Sequence, residues 1–143
     1  MDSKRTSLVK PTLTTPFRID FDWWKGHDRD WRVFLRSFLC EEHQALFENL
    51  DNDETIDWVD PDTGEVIEVD GLQHTLISHC AKQDGFLTDK MSVVESVFRV
   101  FLANGNKPLN SVELGERIGR PADTILRTFS GLRVYKGIRP IIE

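Results

Sequence analysis

Apolar and polar positions alternate strictly from Phe17: Phe17, Ile19, Phe21 and Trp23 against Arg18, Asp20 and Asp22. A period of two over seven residues predicts a half-buried strand. Gly26 interrupts the pattern, and Asp28 stands where a helix N-cap belongs. The period then changes. Trp31, Phe34, Leu35, Phe38, Leu39, Leu46, Phe47 and Leu50 recur at spacings of three and four, which predicts one long amphipathic helix over residues 29–50. Two short β-type runs, 55–60 and 65–69, flank Pro61-Asp62-Thr63-Gly64, and this combination predicts a hairpin on a type I turn closed by a left-handed residue. Gly71 ends the hairpin, and a helix is expected over 72–82.

Further along, Val93, Val94, Val97, Phe98, Phe101 and Leu102 form a wide apolar stripe on a helix over 92–103. Asn104-Gly105-Asn106 ends it, with Gly105 suited to the left-handed C-terminal position. Lys107-Pro108-Leu109 reads as extended, and Asn110 or Ser111 caps a short helix over 112–118. Gly119 and Arg120-Pro121 lead into a third helix over 122–130, and two short helices around a Gly turn make a helix-turn-helix. The run 132–142 is β-type, with a bend at Gly137 that would fold it into a small wing.

The segment PLNSVELGERIGRPADTILRTFSGLRVYKGIRPI, with the helix before it, resembles the winged-helix superfamily, and the resemblance covers about 50 of the 143 residues. It implies that the third helix enters the major groove. Asp123, Thr124 and Arg127 would then lie on the recognition helix, with Arg120 at its threshold. Lys136 and Arg139 would face phosphate from the wing, and Arg127 would read guanine. The function expected is DNA binding in transcriptional regulation. The alternative is a non-catalytic docking subunit that uses the winged helix and the acidic hairpin for protein contacts, and a homodimer is compatible with either. The fold class expected is α+β and mostly helical. It divides into a flexible basic arm (1–16), an α+β region with strand, long helix and acidic hairpin (17–89), and a winged-helix module (90–143).

Charge sharpens this division. The net charge is −6, yet residues 90–143 hold nine basic and five acidic groups, whereas 41–81 hold twelve acids and neither Lys nor Arg. Such asymmetry points to an anionic partner for the basic part, duplex DNA above all. Composition leaves room for a core, with 39% apolar residues, four Trp and nine Phe. No run approaches the roughly 18 apolar residues of a membrane span. The polar start Met-Asp-Ser-Lys-Arg-Thr has no apolar signal segment behind it, so a cytoplasmic protein is expected.

Both cysteines and two of the four histidines form a pattern: Cys40-x-x-His43 and, later, His79-Cys80. Two Cys and two His are a structural zinc set, and the first pair shares one helix face. Adjacent helical residues point about 100° apart, so His79 and Cys80 fit one metal only if their helix frays, and His74 is the substitute ligand if it does not. Asp51-Asn52-Asp53 begins like a calcium loop, but Ile56 holds the position that needs Gly and Asp62 that of the bidentate Glu. There is no Gly-rich phosphate loop, nucleophile elbow or zincin motif. His27 with Asp22 could imitate an acid-base pair, but a capped helix start accounts for the same residues, and no enzyme is expected.

Overall fold

The computed structural model describes residues 10–46, 55–83, 85–87 and 91–141. The fold is α+β and 47% helical. In chain order the elements are β1 (Pro16–Ile19), α1 (Phe21–His27), α2 (Trp31–Arg36), α3 (Glu41–Leu46), β2 (Thr55–Val59), β3 (Val66–Asp70), α4 (Gly71–Ser78) and a 3-10 turn (Cys80–Lys82). They continue with α5 (Val93–Ala103), β4 (Leu109–Asn110), α6 (Ser111–Ile118), α7 (Ala122–Phe129) and β5 (Ile138–Pro140). The chain divides into two compact units, one of residues 1–27 with 87–143 and the other of 28–86. The division expected at residue 90 is therefore displaced, and the N-terminal strand belongs with the C-terminal helices. No helix among the described residues is long and apolar enough to cross a membrane. Most of the basic arm, the last residues of the expected long helix and the Asp51–Asp53 stretch lie outside the described residues.

In the first unit β1 is the middle strand of a three-stranded antiparallel sheet ordered β4-β1-β5. Phe17 pairs with Leu109 on one side and Pro140 on the other, and Ile19 pairs with Ile138. The Asn106 carboxamide clasps the same strand: Ile19 N–H donates to its Oδ1 at 2.9 Å, and its Nδ2 donates to the Ile19 carbonyl at 2.8 Å. The alternation stops at Ile19 because Asp20 caps a helix, its Oδ1 accepting from Trp23 N–H at 3.1 Å. Phe21 and Trp24 are thus buried from α1, not from a strand. Around them Phe17, Ile19, Val97, Phe98, Phe101, Leu114, Ile125 and Ile138 are all fully buried. Trp24 meets Phe98 edge-on at 5.5 Å, and Phe17 meets Phe129 at 6.4 Å.

The helix-turn-helix follows its cap chemistry. Asn110 and Glu113 form a reciprocal capping box, each side chain accepting the other's backbone N–H at 2.9 Å. Gly119 ends α6 in the left-handed region at φ 70°, and the Gly115 carbonyl accepts from both Gly119 and Arg120. This brings the turn down on Gly115, where a Cβ would lie 2.6 Å from the Arg120 carbonyl oxygen. Gly115→Ala should gain about 1 kcal/mol of helix propensity but force the turn apart. We expect a net loss of about 1–3 kcal/mol in urea unfolding, the usual range for overpacking against an unyielding neighbour. An unchanged or higher midpoint would mean that the two helices do not approach here.

The terminal run does not form a hairpin wing. Lys136 (φ 52°) and Gly137 (φ 76°) make a tight two-residue turn closed by one bridge, Tyr135 to Ile138. The strand lying against β5 is β1, so the distant N-terminal segment occupies the place a local wing strand would take.

In the second unit the expected long helix is two short ones. The last turn of α2 tightens through i→i+3 bonds from Phe38 to the Leu35 carbonyl and Leu39 to the Arg36 carbonyl, and the chain restarts when Gln44 N–H bonds the Cys40 carbonyl at 2.8 Å. Glu41 and Glu42 then sit in a new first turn, where the helix dipole favours acids. The hairpin forms as expected: β2 and β3 pair from Thr55↔Asp70 to Val59↔Val66. Asp70 ends it and caps α4 by accepting from Gln73 N–H at 3.0 Å. Gly71 opens that helix and does not merely terminate the hairpin. Among the described residues of this unit, Leu35, Phe38, Leu39, Leu72, Leu76, Cys80, Ala81 and Phe86 are buried.

Candidate metal centre and candidate nucleic-acid interface

The second unit gathers the four predicted ligands. Asp70 ties two elements together, since its Oδ1 caps α4 while its Oδ2 receives the Arg32 guanidinium from α2. That tie sets the Cys40 junction against the end of α4. Helix α4 stops at Ser78, His79 leaves helical geometry at φ −125° and ψ −64°, and Cys80 starts the 3-10 turn. The helix thus breaks at His79, and the group whose donor atoms all lie within 4.8 Å of one another contains His79 but not Cys80. Cys40 Sγ lies 3.1 Å from His43 Nδ1, and Cys80 Sγ lies 3.4 Å from both. Donor atoms of Cys40, His43 and His79 all lie within 4.8 Å of one another, and the His43 and His79 rings meet edge to face at 4.5 Å.

Cys40, His43 and His79 could hold a metal ion. Tetrahedral zinc with bonds of about 2.3 Å to sulfur and 2.0–2.1 Å to nitrogen has S···S edges near 3.8 Å and S···N edges near 3.5 Å. The three separations among Cys40, His43 and Cys80 fall a few tenths of an ångström inside those edges, a gap that side-chain rotation closes. Burial pushes the Cys80 thiol up from 9.0 to about 11. A metal must therefore displace a proton there, and its affinity should rise with pH. Gln83, which bonds the His79 ring at 3.2 Å, and the Arg32–Asp70 pair escape sequence reasoning, because no local pattern marks them. His74 is not in the cluster: its ring lies 5.9 Å from that of Trp58.

In the first unit, Ile125 and Phe129 anchor α7 to the core while Asp123 and Arg127 are exposed and Thr124 is half-buried. Arg120 is exposed at the helix threshold, reaching the Met91 carbonyl at 3.4 Å, and Arg127 leans back on the Asp123 carbonyl at 3.4 Å. The expected wing cations differ from each other. Lys136 lies in the tight turn, whereas Arg139 is engaged within the fold: it pairs with Asp20 at 3.1 Å and covers the Trp23 ring at 5.3 Å. It lies on β5, opposite Arg18. Arg133, which the motif did not single out, is exposed just beyond α7 with its guanidinium 5.0 Å over Tyr135. His27 forms no acid-base pair with Asp22; its Nδ1 is 2.7 Å from the Trp23 carbonyl, and its ring stacks on Trp23 at 4.0 Å.

Charge follows the structural division more closely than the sequence halves. The first unit holds fourteen basic and nine acidic residues, net +5; the second holds four and fifteen, net −11. Compared with protein-family models, curated proteins and solved structures, the chain matches none of them.

Proposed function

We propose that the chain is a helix-turn-helix type of duplex-DNA-binding protein, acting in transcriptional regulation, whose acidic second unit is stapled by a structural zinc ion. The DNA reading is carried by the disposition of α7. Its inner face is taken up by Ile125 and Phe129, and its outer face offers Asp123, Thr124 and Arg127 between Arg120 and Arg133 on a unit of net charge +5. A helix presented this way suits the major groove, and the surrounding cations suit phosphate. The zinc reading is supported by the donors, since two thiols and two imidazoles favour zinc over calcium or magnesium.

The test is a titration of the full chain with duplex DNA by fluorescence anisotropy at several salt concentrations. Arg127→Ala should relax base preference at a cost of about 1–3 kcal/mol, whereas Arg120→Ala, Arg133→Ala and Lys136→Ala should weaken all sequences alike and flatten the salt slope. Arg139→Ala should chiefly lower stability, because its guanidinium is held by Asp20 and Trp23. Equal behaviour of all five variants would put α7 outside the groove. Absence of binding even at low salt would favour protein docking.

A further inference from the structure

We infer that Cys40 and Cys80 form an oxidation site through which a hydroperoxide discharges the metal, an inference that rests on the zinc centre proposed above. The two sulfurs stand 3.4 Å apart, already inside the roughly 3.8 Å edge of a tetrahedral zinc site. A disulfide needs about 2.05 Å, so roughly 1.4 Å of closure separates the two states. Neither cysteine lies inside a regular α-helix. Cys40 sits at the junction of α2 and α3, and Cys80 opens the 3-10 turn after the break at His79. Small backbone rotations can supply the closure without unwinding a helix.

Access is one-sided. Cys80 is 1% exposed whereas Cys40 is half-buried, so Cys40 is the sulfur an oxidant reaches and Cys80 the one that resolves it. The Cys40 thiolate attacks one peroxide oxygen; an S–O bond forms as the O–O bond breaks, leaving a sulfenic acid and an alkoxide, or hydroxide from hydrogen peroxide. The Cys80 thiolate then attacks Cys40 Sγ, the S–S bond forms, and hydroxide leaves with the S–O electron pair. The two sulfurs together supply the two electrons that reduce the peroxide, water protonates the two anions released, and zinc keeps its charge. His43 and His79 remain as the only ligands of the original set, and the ion dissociates.

The experiment uses the intact 143-residue chain, reduced, freed of excess metal and analysed for bound zinc before any oxidant is added. Hydrogen peroxide is then titrated in while zinc release is followed with a chromogenic chelator and thiols are counted. Peptide mapping locates any cross-link. One zinc should appear for each two thiols lost, a Cys40–Cys80 disulfide should be recovered, and a thiol reductant should restore binding. Zinc retained under excess peroxide, or thiols lost as sulfinic acid without the cross-link, overturns the inference while the zinc centre stands. Absence of zinc before oxidation removes both.

Discussion

A fragment of residues 88–143, which contains every element of the helix-turn-helix, is expected not to fold. It lacks β1, the strand that pairs with both β4 and β5, and it lacks the buried side chains of Phe17, Ile19, Phe21 and Trp24. At about 1.5–3 kcal/mol for each large apolar side chain, their removal costs roughly 6–12 kcal/mol. That is comparable with the roughly 5–15 kcal/mol total stability of an ordinary domain. The lost sheet bonds and the Asn106 clasp on Ile19 add to the deficit. The fragment should give a poorly dispersed amide spectrum and no cooperative melt. A chain in which a flexible linker replaces residues 28–86 should give a well-dispersed spectrum and a cooperative melt. Cooperative folding of 88–143 alone would show that β1 is accessory to the module. DNA titrations that aim to remove the acidic unit should therefore keep residues 1–27, because the basic unit is incomplete without them.

The second large effect concerns the metal. Protein purified without added zinc should carry about one equivalent, and chelation should destabilise residues 28–86 selectively. Structural zinc contributes an apparent 10–16 kcal/mol in small metal-folded peptides at neutral pH. Even a few kcal/mol here would lower the melting temperature of a unit this size by more than about 10 °C. Cys40→Ser and Cys80→Ser should reproduce the chelator effect, and His74→Ala should not, since His74 lies against Trp58 and outside the cluster. His79→Ala should retain weakened binding, because Cys40, His43 and Cys80 already lie within 3.1–3.4 Å of one another. Less than a tenth of an equivalent of metal, with no response of melting to chelator, would leave the four as packing and surface groups. A loaded centre should also bind more tightly as pH rises, because the Cys80 proton held up to about 11 must leave before the metal can bind.

Features that depend on a few neighbouring residues were legible in the chain. The Asn110 cap, the left-handed Gly105 and the hairpin around Pro61-Asp62-Thr63-Gly64 each follow from cap chemistry or turn chemistry. The tertiary structure decided what those local rules leave open. Strict alternation through Trp23 reads as one strand, yet Asp20 caps a helix, and α1 buries Phe21 and Trp24 at a spacing of three. The apolar positions over 29–50 read as one helix in spite of the seven-residue step from Leu39 to Leu46, yet the chain breaks between Arg36 and Glu41 and leaves Cys40 at the junction. Nothing near Phe17 announces a partner at Leu109 or Pro140, and nothing near Arg32 announces Asp70. Periodicity and caps are written within one or two turns of chain. Which strand fills the middle of a sheet is settled by backbone hydrogen bonds and buried area shared between distant segments, for which the intervening sequence carries no mark.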